Sequence, residues 1–204
     1  MKKLIALLLA LVLVMGLVAC GNKTPETPVI DEPATDAPTE TPTTEAPAPV
    51  GPASALELLE TVWALYTDDD KFPVFGGDGL NMVDGAPGAY TDMEGLESQL
   101  LVPADKQADV TEIASLFHGM MLNNFSCGAF KLAEGVDAAA FADVMKEAVT
   151  NNRWMCGFPE KYMIAVVGDC VVMVFGLNDA VNPFEAKLVE AYPDAEVKYS
   201  EALA

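Results

Sequence analysis

The stretch YMIAVVGDCVVMVF, residues 162–175, decides the reading of the fold. Tyr162–Val167 and Cys170–Phe175 are apolar runs around Gly168-Asp169, and a Gly opening a two-residue loop is the signature of a tight antiparallel hairpin. Side chains alternate between the two faces of a strand. Met163, Ala165, Val167, Cys170, Val172 and Val174 therefore share one face, and Tyr162, Ile164, Val166, Val171, Met173 and Phe175 the other. Both faces are apolar. Such a pair needs cover on both sides, from its own chain or from a second one. The amphipathic segments around it make cover from the same chain the expectation.

Working outward, Ser126–Ala133 reads as a strand closed by Glu134-Gly135. Asp137 is placed to cap a helix with Phe141, Val144, Met145 and Ala148 inward. Asn178 or Asn182 is positioned to cap a last helix, with Pro183 in its first turn and Phe184, Leu188 and Tyr192 inward. Glu196–Tyr199 adds a short strand. Upstream, Ser54 with Glu57 three residues on has capping-box form, ahead of a helix that aligns Leu58, Val62, Leu65 and Tyr66. Residues 71–90 form a Gly-rich loop, and a short helix is expected over Thr91–Leu101, stopped at Pro103. Another helix is expected from Asp109, with Glu112 completing a capping box and Ile113, Leu116, Phe117 and Met120 inward, so that His118 falls near its C-terminal end. The fold class expected is α+β, with helices packed on a small, mostly antiparallel sheet that contains the hairpin as a central element.

Three segments lie in series. Lys2-Lys3 and the apolar run Leu4–Val18 make the basic and hydrophobic regions of a secretory signal, too short to span a bilayer as a helix. Residues 23–52 are rich in Pro, Thr and acidic residues, with almost no large apolar side chains. They read as a disordered, extended linker of about 90 Å contour length, whose Thr hydroxyls are possible glycan acceptors. Residues 53–204 suit one domain with one core. The expected organisation is a cleaved signal over 1–19, an acylated Cys20 with its linker to 52, and the single α+β domain.

The full chain carries 31 acidic and 11 basic residues, a net charge of −20, and one His. That balance argues against nucleic acid as a partner and disfavours an electrostatic hold on anionic lipid. The lone His leaves little room for His-rich metal sites. No GxSxG, HExxH or Walker sequence occurs, so the enzyme classes carried by those motifs are unsupported.

Leu17-Val18-Ala19-Cys20-Gly21 at the end of the apolar run resembles the lipobox of bacterial lipoproteins. The resemblance implies a diacylglyceryl thioether on Cys20, cleavage before it, and attachment to the outer face of the cytoplasmic membrane. A long acidic Pro/Thr linker after a lipobox is similar to surface lipoproteins of Gram-positive bacteria. From Asp109 to Tyr192 the chain also resembles a family of small uncharacterised lipoprotein domains of Firmicutes. Phe158-Pro159-Glu160-Lys161-Tyr162 leading into Val166-Val167-Gly168-Asp169 is its most telling piece. That resemblance supports the architecture and brings no catalytic residues.

Chemistry candidates are few. Besides Cys20 the thiols are Cys127, Cys156 and Cys170, an odd number without a CxxC, read as inert thiols or one disulfide with a thiol left over. Cys156, near Arg153, is the candidate reactive thiol. Asp68, Asp70 and Asp78 lie in or beside the Gly-rich stretch and are the candidate Ca²⁺ ligands. The EF-hand order is missing, however, so a solvated acidic loop and no cofactor are expected. The function expected is a membrane-anchored extracytoplasmic lipoprotein whose domain binds without catalysis, with a protein or cell-wall partner. The alternatives are a solute-binding transporter component, for which the domain is about half the needed length, and a surface enzyme working through Cys156 or a carboxylate pair.

Overall fold

The computed structural model describes residues 51–203, which leaves the expected signal, Cys20 and nearly all of the linker outside the described residues. The strands are β1 (Val74–Gly76), β2 (Val83–Asp84), β3 (Gly88–Ala89), β4 (Val110–His118), β5 (Phe125–Leu132), β6 (Lys161–Val167), β7 (Cys170–Gly176) and β8 (Glu196–Ala202). The helices are α1 (Ala55–Ala64), α2 (Leu96–Gln99), α3 (Ala138–Asn151) and α4 (Asn178–Ala191). One antiparallel sheet runs β2-β1-β4-β5-β7-β6-β8, with β3 also on β4. The class is α+β, and the sheet, at eight strands, is larger than expected.

β6 and β7 pair from Lys161↔Gly176 to Val167↔Cys170, and their turn is closed by Gly168 at φ 63°, a region open to Gly at no steric cost. Every residue of β7 is buried. On one face Met163, Ala165, Val172 and Val174 pack with Leu58 and Val62 of α1 and Val181, Phe184 and Leu188 of α4. On the other, Tyr162, Ile164, Val171 and Met173 pack with Phe141, Met145 and Val149 of α3 and with Leu96, Leu100 and Val102. Helices thus cover both faces, and each buried Leu, Val or Phe contributes about 1.5–3 kcal/mol.

Helix starts follow local chemistry. Ser54 Oγ accepts the Glu57 N–H at 3.0 Å, and Asp137 Oδ1 accepts those of Ala139 and Ala140 at 2.9 and 3.2 Å. α4 begins at Asn178 without a side-chain cap from Leu177 before it. The Asn178 N–H instead donates to Glu160 Oε2 at 2.9 Å. Pro183 falls within α4 and not in its first turn.

The expected helix from Asp109 is instead strand β4. Apolar residues at 113, 116 and 117 satisfy a helical stripe, but in a strand covered on both sides they fit equally. Ile113 and Phe117 serve one core and Ala114 and Leu116 the other. The β-branched Val110, Thr111 and Ile113 favour the strand, and β5 pairs with it from Val110 to Phe117 around a bulge at Thr111. The helix expected over Thr91–Leu101 shrinks to Leu96–Gln99. Asp92 Oδ1 holds the N–H groups of Glu94 and Gly95 in a turn before it, and Leu101 at φ 59° ends it.

Met163 and Ile164 are neighbours on β6 that point into opposite cores, both fully buried. Met163→Ala and Ile164→Ala should each lose about 2–5 kcal/mol in urea denaturation. A loss from only one of the two would mean that the other face is not a packed core.

Candidate functional site at one end of the sheet

The C-terminal ends of β4 and β7 and the N-terminal ends of β5 and β6 meet at one end of the sheet. Two connections cover that end: residues 119–124, between β4 and β5, and residues 152–160, between α3 and β6. Asn123 ties them together. Its Nδ2 donates to the carbonyls of Cys156 at 3.1 Å and Gly157 at 3.0 Å. Gly157 sits at φ 94°, and a methyl group on it would stand 2.8 Å from Met121 Sδ, so that thioether lies directly against the second loop. Trp154 tilts on Phe175 with ring centres 4.9 Å apart.

Between these loops and the segment after α2 lies an open cavity of about 280 Å³, near the lower end of small-ligand sites. Its wall includes Gln99, Asn123, Asn152, Arg153, Trp154 and Cys156. Leu101 also lines it and is the only non-glycine with positive φ among the described residues. Such a conformation costs of order 1–3 kcal/mol and collects at functional sites.

The structure separates the other sequence candidates. Cys127 and Cys170 are buried and free, on different strands, and Cys156 is exposed and free at the loop end. Burial pushes the Cys127 thiol well up. It also pushes Cys170 up to about 12, helped by Asp169, so neither is a nucleophile at neutral pH. His118 ends a strand and does not close a helix. Its ring stacks on Phe72 with centres 5.6 Å apart, and its Nδ1 accepts the Met120 N–H at 3.1 Å.

The three candidate Ca²⁺ carboxylates do not converge. Asp68 is exposed, and Asp70 accepts from Thr67 Oγ1 at 3.0 Å and from Lys187 Nζ at 3.4 Å, contacts that lower its pKa. Asp69 and Asp84 are exposed like Asp68 and Asp70, as a solvated acidic loop requires, and Asp78 alone departs from that expectation, being fully buried. Its Oδ1 accepts the N–H groups of Leu80 (2.8 Å) and Asn81 (2.9 Å). Its Oδ2 accepts from the Thr91 N–H (2.5 Å) and hydroxyl (2.8 Å) and from the Asp92 N–H (3.0 Å). Five donors occupy the lone pairs a cation would need. No group of three or more His, Cys, Asp and Glu is placed to hold a metal among the described residues. Sequence reasoning missed both the burial of Asp78 and the loop end itself, whose one visible signal was the exposed Met-Met and Met-Cys pairs at 120–121 and 155–156.

No protein-family model, curated protein or solved structure matches the chain.

Burial would raise the Asp78 pKa, but the Thr91 and Leu80 N–H bonds outweigh it and hold the carboxyl at about 2. A pKa depressed in the fold contributes stability that is complete above the ordinary carboxylate value and lost as pH falls through the folded one. The melting temperature should therefore drop between pH 4 and pH 2 more steeply in the native protein than in Asp78→Asn. Asp78→Ala should cost about 2–4 kcal/mol. Millimolar Ca²⁺ should leave the melting temperature where EGTA leaves it, and a rise of several degrees would contradict this account of the loop.

Proposed function

We propose that the protein is an extracytoplasmic lipoprotein, held on the outer face of a bacterial cytoplasmic membrane by acylated Cys20, with a non-catalytic binding domain at the end of its linker. The observation that carries this reading is Leu17-Val18-Ala19-Cys20-Gly21 closing a basic and then apolar segment. Small residues before an obligatory Cys are what lipoprotein processing requires. Two acyl chains on the sulfur give stable attachment at about 0.8 kcal/mol per buried CH₂. The linker supports it, since a Pro- and Thr-rich acidic segment is the composition of an extended spacer. The resemblance to Gram-positive surface lipoproteins points the same way.

The non-catalytic reading is supported by what the carboxylates of lowered pKa are doing. Asp78 organises its loop, and Asp70 joins the turn after α1 to Lys187 of α4. Glu201 of β8 accepts from the Tyr162 hydroxyl at 2.6 Å and pairs with Lys146 at 3.1 Å. Each has a structural task. The exposed loop end, with its cavity and bared apolar side chains, is the surface where a ligand or partner would act.

Cys20→Ala should move the protein from the membrane fraction to the soluble or secreted fraction and abolish incorporation of labelled palmitate. Retention of the variant in membranes after a high-salt wash would overturn the anchor.

A further inference from the structure

Residues 51–203 contain eight methionines, of which Met145, Met163 and Met173 are buried in the core. Of the five exposed, Met120, Met121 and Met155 lie in the two loops at one end of the sheet. Met120 is 82% and Met155 87% exposed, far outside the usual habit of this side chain. Cys156, also exposed, follows Met155 directly. The loops are joined by the two Asn123 hydrogen bonds, and Met121 Sδ rests against Gly157, the residue after Cys156. The fold thus brings three thioethers and one free thiol to a single end, on short connections braced by rigid strands.

We propose that Met120, Met121, Met155 and Cys156 form a binding site for a soft monovalent cation, Cu(I) or Ag(I). Thioether and thiolate sulfur select such ions over hard cations, which prefer oxygen. When the metal–sulfur bond to Cys156 forms, the Sγ–H bond breaks and its proton passes to water. The thioethers donate lone pairs without losing anything, and no oxidation state changes. His118 is engaged otherwise, its Nδ1 accepting the Met120 N–H and its ring stacked on Phe72. Residues 53–204 hold 25 acidic against 8 basic residues, so the domain as a whole attracts cations, while Arg153 is the one charged side chain in the cavity wall beside Met155 and Cys156. The site stands independently of the Cys20 anchor.

The test is competition for Cu(I) against the coloured bicinchoninate complex. It is run anaerobically with the full chain in detergent, every protein carrying Cys20→Ala so that this thiol does not compete. The parent should withdraw one equivalent of Cu(I), with tenfold Zn(II) in excess failing to displace it. Cys156→Ser, and separately the combined Met120→Leu, Met121→Leu and Met155→Leu, should each weaken the competition at least tenfold. Because all four side chains are exposed, the melting temperatures should stay within about 2 °C of the parent. No withdrawal by the parent overturns the proposal and leaves the loop end as an apolar docking surface. Withdrawal undiminished in the triple variant overturns it too, since the thiol alone would then account for the binding.

Discussion

The structure depends on a strand with no solvent side. All seven residues of β7 are buried, so whatever lies above and below it must be apolar and must stay in place. That requirement gives the domain its three layers, with α1 and α4 on one face and α3 with the segment around α2 on the other. Antiparallel sheets often leave one face wet, with alternating polar residues to match. Here β4, β5, β6 and β7 are all largely buried, and each helical layer closes a core of its own against the shared sheet.

The margins of the sheet are held differently. β8 is an edge strand with the sequence EVKYSEA, paired to β6, whose few apolar side chains, Val197 and Tyr199, are only partly buried. Polar contacts fasten it as well. The Tyr199 hydroxyl donates to Asp143 Oδ1 at 2.6 Å, and Glu201 meets Tyr162 and Lys146 on the α3 side. The Ser200 hydroxyl donates to Glu185 Oε2 at 2.7 Å on the α4 side, where Lys161 also pairs at 2.9 Å. Charged side chains on an exposed edge also discourage pairing with another chain. At the opposite margin Asp78 does the equivalent work from inside a loop. It gathers the N–H groups of residues 80, 81, 91 and 92 and so keeps the long connection around β2 and β3 closed on itself.

These two regimes explain what was legible in the sequence. Where burial sets the structure, pattern reading works: the two apolar faces of residues 162–175, the Asp137 cap and the strand near 126–132 all appear from residue order alone. It fails at β4, because a strand covered on both sides no longer alternates, and its apolar positions mimic a helical stripe with a capping signal in front. At β8 the short strand expected over Glu196–Tyr199 is present and runs on to Ala202, but its polar partners Asp143, Lys146, Tyr162 and Glu185 lie far away in sequence and are not legible from residue order. The candidate site was the least legible. Asp78 looks like any loop carboxylate until five donors are seen to converge on it. Met120, Met121 and Met155 look like ordinary apolar residues until the topology leaves them outside the core.

The same topology gives the domain a direction. The first described residue, Gly51, packs its backbone on Gly168 in the β6–β7 turn. The sulfur-bearing loops lie at the other end of those strands, beyond Lys161 and Gly176. Seven residues of β6 separate the two ends, about 20 Å at the usual rise. The cavity with Arg153 and Trp154 opens at the loop end. Because the loops carrying these groups rest on the ends of four paired strands, a ligand there meets positions already set by the core. The doubly covered sheet thereby sets the positions of the end where Met120, Met121, Met155 and Cys156 are exposed.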